Sequence, residues 1–311
     1  MAIARPTMRF LIYQDSRQGP RKNNEDRLGY SYSRESLFMV VADGMGGHLH
    51  GEIAAQTAMH SLIEAFKREA QPKIADPHRF LLDTMTSAHL AILAFAESQR
   101  FLETPRTTCV ACIVQDGAAY WGHVGDSRLY LIRDGRVEAV TKDHSRVQLL
   151  VDAGRMRPES MQAHPDRNKI FNCLGQLHPP RVDISRKTVL HHDDTIILCS
   201  DGFWGPLPQS LIVDTLLRKD ILRAMPELLD VAELRAGVDG DNLSVVAMTW
   251  RDEDQGEEDS VSTFRLSVGD HETRSTNLGR EATSSASTQL TDEEIERAIS
   301  EIRNAINKPH R

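Results

Sequence analysis

At 311 residues, 40% of them hydrophobic, the chain can build one large domain with an appendage around a real core. Its formal charge of −8 is unevenly spread: residues 251–311 hold 8 Lys/Arg and 14 Asp/Glu, so the rest is nearly balanced and offers nucleic acid no basic face. With no apolar leader or long apolar span, neither secretion nor membrane insertion is expected, and four Cys make no disulfide scaffold, which points to a reducing, cytoplasmic setting.

Residues 8–16 and 28–33 read as strands, joined by a polar loop with Arg21, Glu25 and Asp26. An Arg beside acids suits a phosphate, because its guanidinium fork meets two oxygens at once. Without other acid motifs it would be a surface Arg paired with Glu25. Residues 37–42 are all apolar and end on Asp43, with Gly44, Gly46 and Gly47 behind. A buried strand that stops at Asp43 and turns through glycines sets the carboxylate at its mouth, beside bare backbone. A plain glycine-rich turn is the competing reading.

Residues 52–68 place Ala54, Ala55, Ala58, Leu62, Ile63 and Phe66 at helical spacing. Asp76-Pro77 is a cap signal for a second helix, to about residue 100. Both helices are expected to be scaffold, with His60, His78 and His89 solvated or packed rather than ligands. Four short strand-like runs, 107–115, 119–124, 129–133 and 136–141, follow. Asp116-Gly117 and Asp134-Gly135 between them predict an antiparallel meander. Cys109 and Cys112 have the spacing of a metal pair, yet they lie in one strand, point to opposite faces and lack a second pair.

Asp143-His144-Ser145 opens a short helix over 146–153, and 154–169 lacks periodicity and is read as a mobile loop beside the site. Residues 181–190 and 195–199 return to strand character. The turn between them, His191-His192-Asp193-Asp194, is read as a turn in preference to a metal site. Helices are expected over 208–219 and 222–236, and a last strand over 243–250. Helices grouped against hairpins, without βαβ alternation, predict an α+β fold: a β-sandwich of two antiparallel sheets flanked by helices on both sides.

The apolar run 195–199 ends near Asp201-Gly202, as 37–42 ends at Asp43-Gly44. Asp126 ends a third run, and Asp239 and Asp241 precede a fourth. Acids at the ends of distant strands make sense if those ends converge, and converged carboxylates stay ionised only around a cation. An all-oxygen donor set selects a hard ion, Mg²⁺ or Mn²⁺, over Zn²⁺.

Taken together, these motifs resemble protein phosphatase 2C, the metal-dependent serine/threonine phosphatase family. The matching pieces, in the family's order over roughly residues 8–250, are Arg21-x-x-x-Glu25-Asp26, the stretch Val41 to Gly47, Gly125-Asp126-Ser127-Arg128, Asp143-His144-Ser145, Ser200-Asp201-Gly202 and Asp241-Asn242. The resemblance implies hydrolysis of phosphoserine and phosphothreonine in proteins by a metal-activated water at a two- or three-ion centre, without a phosphoenzyme. It implies that Asp43 bridges both ions, with Gly44 adding its carbonyl. Asp201 and Asp241 would complete one shell, Glu25 would act through water near the second ion, and Asp126 would hold a third. Arg21 would bind the substrate phosphate. Phosphorylated proteins and an opposing bacterial-type serine/threonine kinase are the implied partners.

Three departures stand out. Met45 replaces the His proposed as general acid in some relatives, so that role is vacant or falls to water; His48 and His123 lie near by motif, but neither is assigned. Arg106 stands where Gly is frequent. The loop 154–169 aligns with the family's variable flap, where substrate choice is expected to be set.

The domain plan is a phosphatase domain over 1–250, an acidic Ser/Thr-rich disordered linker over 251–289, and an amphipathic helix over 290–309. Thr291 to Glu294 is a capping box, and Ile295, Ile299, Ile302 and Ile306 form a narrow stripe for a partner or for self-docking. The alternative to an enzyme is a phosphoprotein-binding regulatory scaffold that keeps the fold without catalysis.

Overall fold

The computed structural model describes residues 8–45, 50–161, 164–251 and 272–275. In chain order its elements are β1 (Arg9–Arg17), β2 (Asp26–Tyr32), β3 (Ser36–Met45), α1 (Gly51–Glu69), α2 (Pro77–Ser98), β4 (Arg106–Thr107), β5 (Cys109–Gln115), β6 (Ala118–Val124), β7 (Arg128–Arg133) and β8 (Arg136–Val140). Then come α3 (Arg146–Asp152), β9 (Asp183–Ile184), β10 (Thr188–Val189), β11 (Thr195–Cys199), α4 (Asp201–Trp204), α5 (Gln209–Leu216), α6 (Ile221–Ala236), β12 (Leu243–Arg251) and β13 (Glu272–Ser275).

One sheet runs β1-β12-β11-β7-β8 and the other β10-β6-β5-β3-β2-β13, with β4 on β3 and β9 on β6. Every ladder is antiparallel. The predicted α+β sandwich is therefore what forms. Its central strands are buried on both faces, so β5 is a largely apolar run rather than an alternating one, while β8 at the edge alternates exposed and half-buried residues. Cys109 faces the helices α1 and α2, whereas Cys112 faces the opposite sheet, and both are free thiols.

Three apolar layers result. Phe38, Phe66, Leu62 and Met85 fill the space under α1 and α2; Leu28, Met39, Leu131, Ile196 and Met248 lie between the sheets; Phe203, Met225, Leu228 and Val245 lie under α4 and α6. Each such side chain contributes about 1.5–3 kcal/mol by leaving water. Phe38 stacks on Phe66 at 5.3 Å, and truncating either to Ala would cost about 3–5 kcal/mol. α2 is long and apolar enough to cross a membrane, but its Phe80, Leu81, Met85, Ile92 and Phe95 are spent on this core.

The helix starts follow from local chemistry. Asp76 accepts the Arg79 N–H with Pro77 in the first turn, Ser145 accepts from Gln148, and Asp220 accepts from Arg223. Some boundaries differ from those expected. β3 does not stop at Asp43: it runs on to Met45, because β4 supplies a partner for Gly44 and Met45. The single strand expected over 181–190 is two short pieces, β9 and β10, each pairing with β6. The turn at Asp201 becomes the short helix α4, whose apolar residues Phe203 and Trp204 pack beneath the sheet. Within the stretch expected to be linker, residues 272–275 pair as an edge strand on the outer edge of β2, which has no other ladder among the described residues. The helix expected over 290–309 lies outside the described residues.

Candidate metal centre

The topology carries acids from separated stretches to one end of the sandwich. In one sheet, β2 and β3 pair so that Asp26 faces Asp43. In the other, β11 and β12 pair through Cys199 and Val245, which brings Asp201 at the start of α4 to the level of Asp241, just ahead of β12. The Gly202 backbone packs directly on Asn242, with no room for a side chain. Asp126 arrives from the turn between β6 and β7.

These groups feel one another. Burial pushes the Asp43 carboxyl well above the usual carboxylate range, and the charges of Asp26, Asp201, Asp126 and Asp241 push it further. Asp201 is raised to about 7 by burial, then by Asp241 and Asp26. Asp126, 5% exposed, is raised by burial and by Asp201 and Asp143. Glu25 is raised to about 7 by burial, with Glu52 and Asp241 adding to it. The Oδ1 of Asp201 is buried with no hydrogen-bond partner. A buried carboxylate oxygen without a donor is costly, and here the charges that act most strongly on Asp201 are the carboxylates of Asp241 and Asp26. Divalent cations answer both deficits, and an all-oxygen donor set suits Mg²⁺ or Mn²⁺. The residues fit such ions.

The walls are rigid. The Asp43 N–H donates to Thr108 Oγ1 at 3.0 Å, and its carbonyl accepts from the Thr107 hydroxyl at 2.9 Å and the Thr108 N–H at 2.8 Å. Gly44 donates its N–H to the Glu25 carbonyl at 3.2 Å; a Cβ at Gly44 would collide with that carbonyl and with Gly51, so this position keeps β3 and the start of α1 in contact. The Glu25 N–H donates to Asn242 Oδ1 at 2.8 Å, and Asn242 Nδ2 donates to the Gln18 and Asn23 carbonyls. The arm bearing Arg21 and Glu25 is thus stapled to the Asp241 turn.

Of the residues expected from sequence, Glu25, Asp43, Gly44, Asp126, Asp201 and Asp241 meet at this end. Arg21 stands at its rim, half exposed, with Nη2 2.7 Å from Asp241 Oδ2 and Nε donating to the Gly240 carbonyl. It lines a surface recess with Pro20, Val238, Asp239 and Gly240. His48 lies outside the described residues. His123 sits behind the acids, its Nε2 on the Lys142 carbonyl at 2.8 Å and its ring stacked on His144. Asp194 of the His-His-Asp-Asp stretch is buried and takes the Arg133 fork at 2.8 and 2.6 Å, as a structural turn would. His89 is packed, its Nδ1 accepting the Gly175 N–H.

Supporting residues complete the centre: Asp26 and Asp143 were read within their motifs without a role, and the others were not singled out from sequence. Asp26, 1% exposed, accepts from Ser200 Oγ at 2.7 Å, and Ser200 Oγ accepts the Ser244 N–H. Burial lifts Asp26 to about 6 against the pull of the Ser200 and Ser244 hydroxyls. Arg128 forks onto Asp143 at 2.8 Å twice and lies 3.5 Å over Trp204, whose Nε1 donates to the Asp126 carbonyl. Ser200 and Arg128 stand inside motifs that were read, so adjacency to an acid was their only signal. Thr108 and Trp204 had none.

A protein-family model described as Protein phosphatase 2C matches residues 14–220. A serine/threonine phosphatase of Listeria monocytogenes is 32% identical over 230 residues, 73% of this chain and 90% of its own length. The crystal structure of the PstP catalytic domain in complex with two manganese ions aligns with a TM-score of 0.65 and 32% identity, covering 78% of this chain and 99% of that one. A Streptococcus agalactiae serine/threonine phosphatase structure aligns at a TM-score of 0.71 and 26% identity, covering 78% and 100%. The family match, the identity over most of both chains and the acid-lined end of the sandwich agree: this chain belongs to the protein phosphatase 2C family.

Proposed function

We propose that this protein is a Mg²⁺- or Mn²⁺-dependent phosphatase that removes phosphate from phosphoserine and phosphothreonine in proteins. The observation that carries the reading is the cluster of carboxylates at 43, 126, 201 and 241, from four separated stretches, whose charges help raise Asp43, Asp126 and Asp201 and which leaves an orphaned oxygen on Asp201. Asp43, which feels all the other acids, is the residue suited to be shared between two ions, with the Gly44 carbonyl beside it. Asp201 and Asp241 would hold one ion, Glu25 would orient water near the other, and Asp126 would serve a third. Bound ions supply an activated water and the positive charge that a phosphate needs. Arg21, half exposed and held by the rim acid Asp241 and the Gly240 carbonyl, can exchange that carboxylate for phosphate oxygens.

Among the described residues, none of Cys109, Cys112, Cys199, Ser127 and Ser200 is placed to act as a nucleophile at the centre. Cys109, Cys112 and Cys199 are buried in the apolar layers, with thiols pushed up by burial. Ser127 and Ser200 spend their hydroxyls on Thr108 and Asp26. Direct attack by water on phosphorus follows, with no phosphoenzyme. Met45 leaves protonation of the leaving Ser or Thr oxygen to solvent. An opposing serine/threonine kinase, a cytoplasmic location and the division into a phosphatase domain over 1–250, a linker over 251–289 and a docking helix over 290–309 complete the reading.

Hydrolysis of p-nitrophenyl phosphate and of a phosphothreonine peptide, with Mn²⁺ and with excess chelator, tests it. The expected result is turnover that needs the metal and disappears in Asp43→Ala. Equal inertness of both proteins would instead support a phosphoprotein-binding scaffold.

A further inference from the structure

Behind the acids lies a second polar group, His123, His144 and Asp183, whose candidate ligand atoms fall within 4.8 Å of one another. The residue types resemble a zinc site, but the hydrogen bonds assign His144 otherwise. Its Nδ1 faces two donors, the Gly125 N–H at 3.1 Å and Asn172 Nδ2 at 2.7 Å. The orientation of that amide is fixed independently, because Asn172 Oδ1 accepts the Arg181 N–H and Nδ2 also faces the Arg181 carbonyl. A ring nitrogen facing two N–H groups must present its lone pair, so the proton sits on Nε2. There Asp183 Oδ2 lies 3.2 Å away, close enough to favour that proton electrostatically although off hydrogen-bond alignment. With its proton on Nε2, His144 has no lone pair left for a metal.

What the ring does hold is Gly125. The Gly125 N–H goes to His144 Nδ1 and the Gly125 carbonyl accepts the His144 N–H at 2.9 Å, so residue 144 grips both polar groups of one residue. Gly125 has φ +105°, and a Cβ there would sit 2.7 Å from Thr108. A conformation that L residues avoid is thus kept by bonds from outside the turn. The next residue is Asp126, whose carbonyl Trp204 fixes from the other side. The His144 carbonyl also accepts the Phe171 N–H, and Arg146 donates to Lys169, so both ends of the 146–169 loop leave from this residue.

We propose that His144 is a positioning residue for Asp126: through Nδ1 and its own backbone it sets the Gly125 turn, and so the place of the outlying acid in the metal centre. The proposal rests on the metal-dependent reading above. It says that the Nδ1 lone pair, rather than the imidazole's bulk or charge, is what matters.

Substitutions separate those roles. His144→Asn keeps an acceptor oxygen near Nδ1, whereas His144→Gln reaches toward the Nε2 position and leaves Gly125 without its partner. Mn²⁺ titration followed by the EPR signal of free Mn²⁺ reads binding without turnover. Wild type is expected to bind two ions tightly and one weakly, with the weak phase absent in Asp126→Asn. His144→Gln is expected to weaken that phase roughly ten- to a hundredfold and His144→Asn to retain it, as changes behind metal ligands do. Circular dichroism confirms that each variant is folded. Equal weak-phase binding in His144→Gln and wild type overturns the proposal, as does equal loss in His144→Gln and His144→Asn. An Asp126→Asn isotherm identical to wild type also overturns it, while two tight ions and metal-dependent turnover would leave the phosphatase reading standing.

Discussion

Buried carboxylates occur in two regions of this molecule and are treated in opposite ways. At the turn after β10, Asp194 is fully buried and satisfied: the Arg133 fork takes both oxygens and the His191 N–H adds a third bond. At the acid-lined end, Asp43, Asp126 and Asp201 receive no such fork, although Arg128 stands close enough to hold Asp143 at 2.8 Å. A guanidinium fork neutralises Asp194 and Asp143, whereas Asp43, Asp126 and Asp201 have none and the rim acid Asp241 meets only the half-exposed Arg21. The difference teaches that the second group is built for a partner the polypeptide does not contain.

The strongest way to break this comparison is to remove a charge from each region. Asp201→Asn should lower metal-dependent turnover by at least about a thousandfold, beyond the loss of a single oxyanion donor. The metal-free protein should become more stable at neutral pH, because a repelling charge has gone. Arg133→Met should do the reverse. It strands the buried Asp194 charge and costs about 3 kcal/mol or more, read in urea unfolding, while turnover per folded molecule is kept. A stabilised Arg133→Met protein, or a destabilised metal-free Asp201→Asn protein, would erase the distinction.

Next in size is a pH effect of opposite sign with and without metal. In the metal-free fold, Asp201 and Glu25 hold protons up to about pH 7, which the unfolded chain releases near pH 4. Raised carboxyl values stabilise the fold fully below the unfolded value, and that stability is lost as pH rises through the folded value. The metal-free melting temperature should therefore fall between about pH 5 and pH 7.5, at roughly 2–4 °C per kcal/mol lost. With saturating Mn²⁺ it should rise over the same range, because ions and protons compete for the same oxygens.

The smallest effect is at the rim. Arg21→Ala breaks a half-exposed pair with Asp241, so stability should change by less than about 1 kcal/mol. The KM for a phosphopeptide should rise about tenfold or more with the loss of a charged fork. An unchanged KM would place phosphate recognition elsewhere.

Much of the acid-lined end was legible because its residues close apolar runs: Asp43 after 37–42, Asp201 after β11, Asp241 before β12. A strand that ends in Asp-Gly is a local pattern and survives without tertiary knowledge. The turn at Asp194 was legible for the same reason. What could not be read was contact across distance. Nothing near Arg21 in sequence reveals that Asp241 holds it, 220 positions away. Nothing near Thr108 shows that its hydroxyl carries the Asp43 amide, and α4 was hidden because four residues are too few to show a period. β3 outran its expected end because a two-residue strand, β4, offered Gly44 and Met45 a ladder.

The register of the ladders has one more consequence. Asp26 and Asp43 belong to one sheet, Asp201 and Asp241 to the end of the other, and between them the layers are joined by apolar packing and by a few hydrogen bonds, Ser200 to Asp26 and Glu25 to Asn242. Ions lodged among these oxygens would rivet the layers together at one end, while at the opposite end the Arg133 guanidinium of β7 reaches the Val189 carbonyl of β10. Chelation should then let the seam gape from the acid side first, with amide hydrogens at residues 25 and 244 exchanging long before those in the middle of β5.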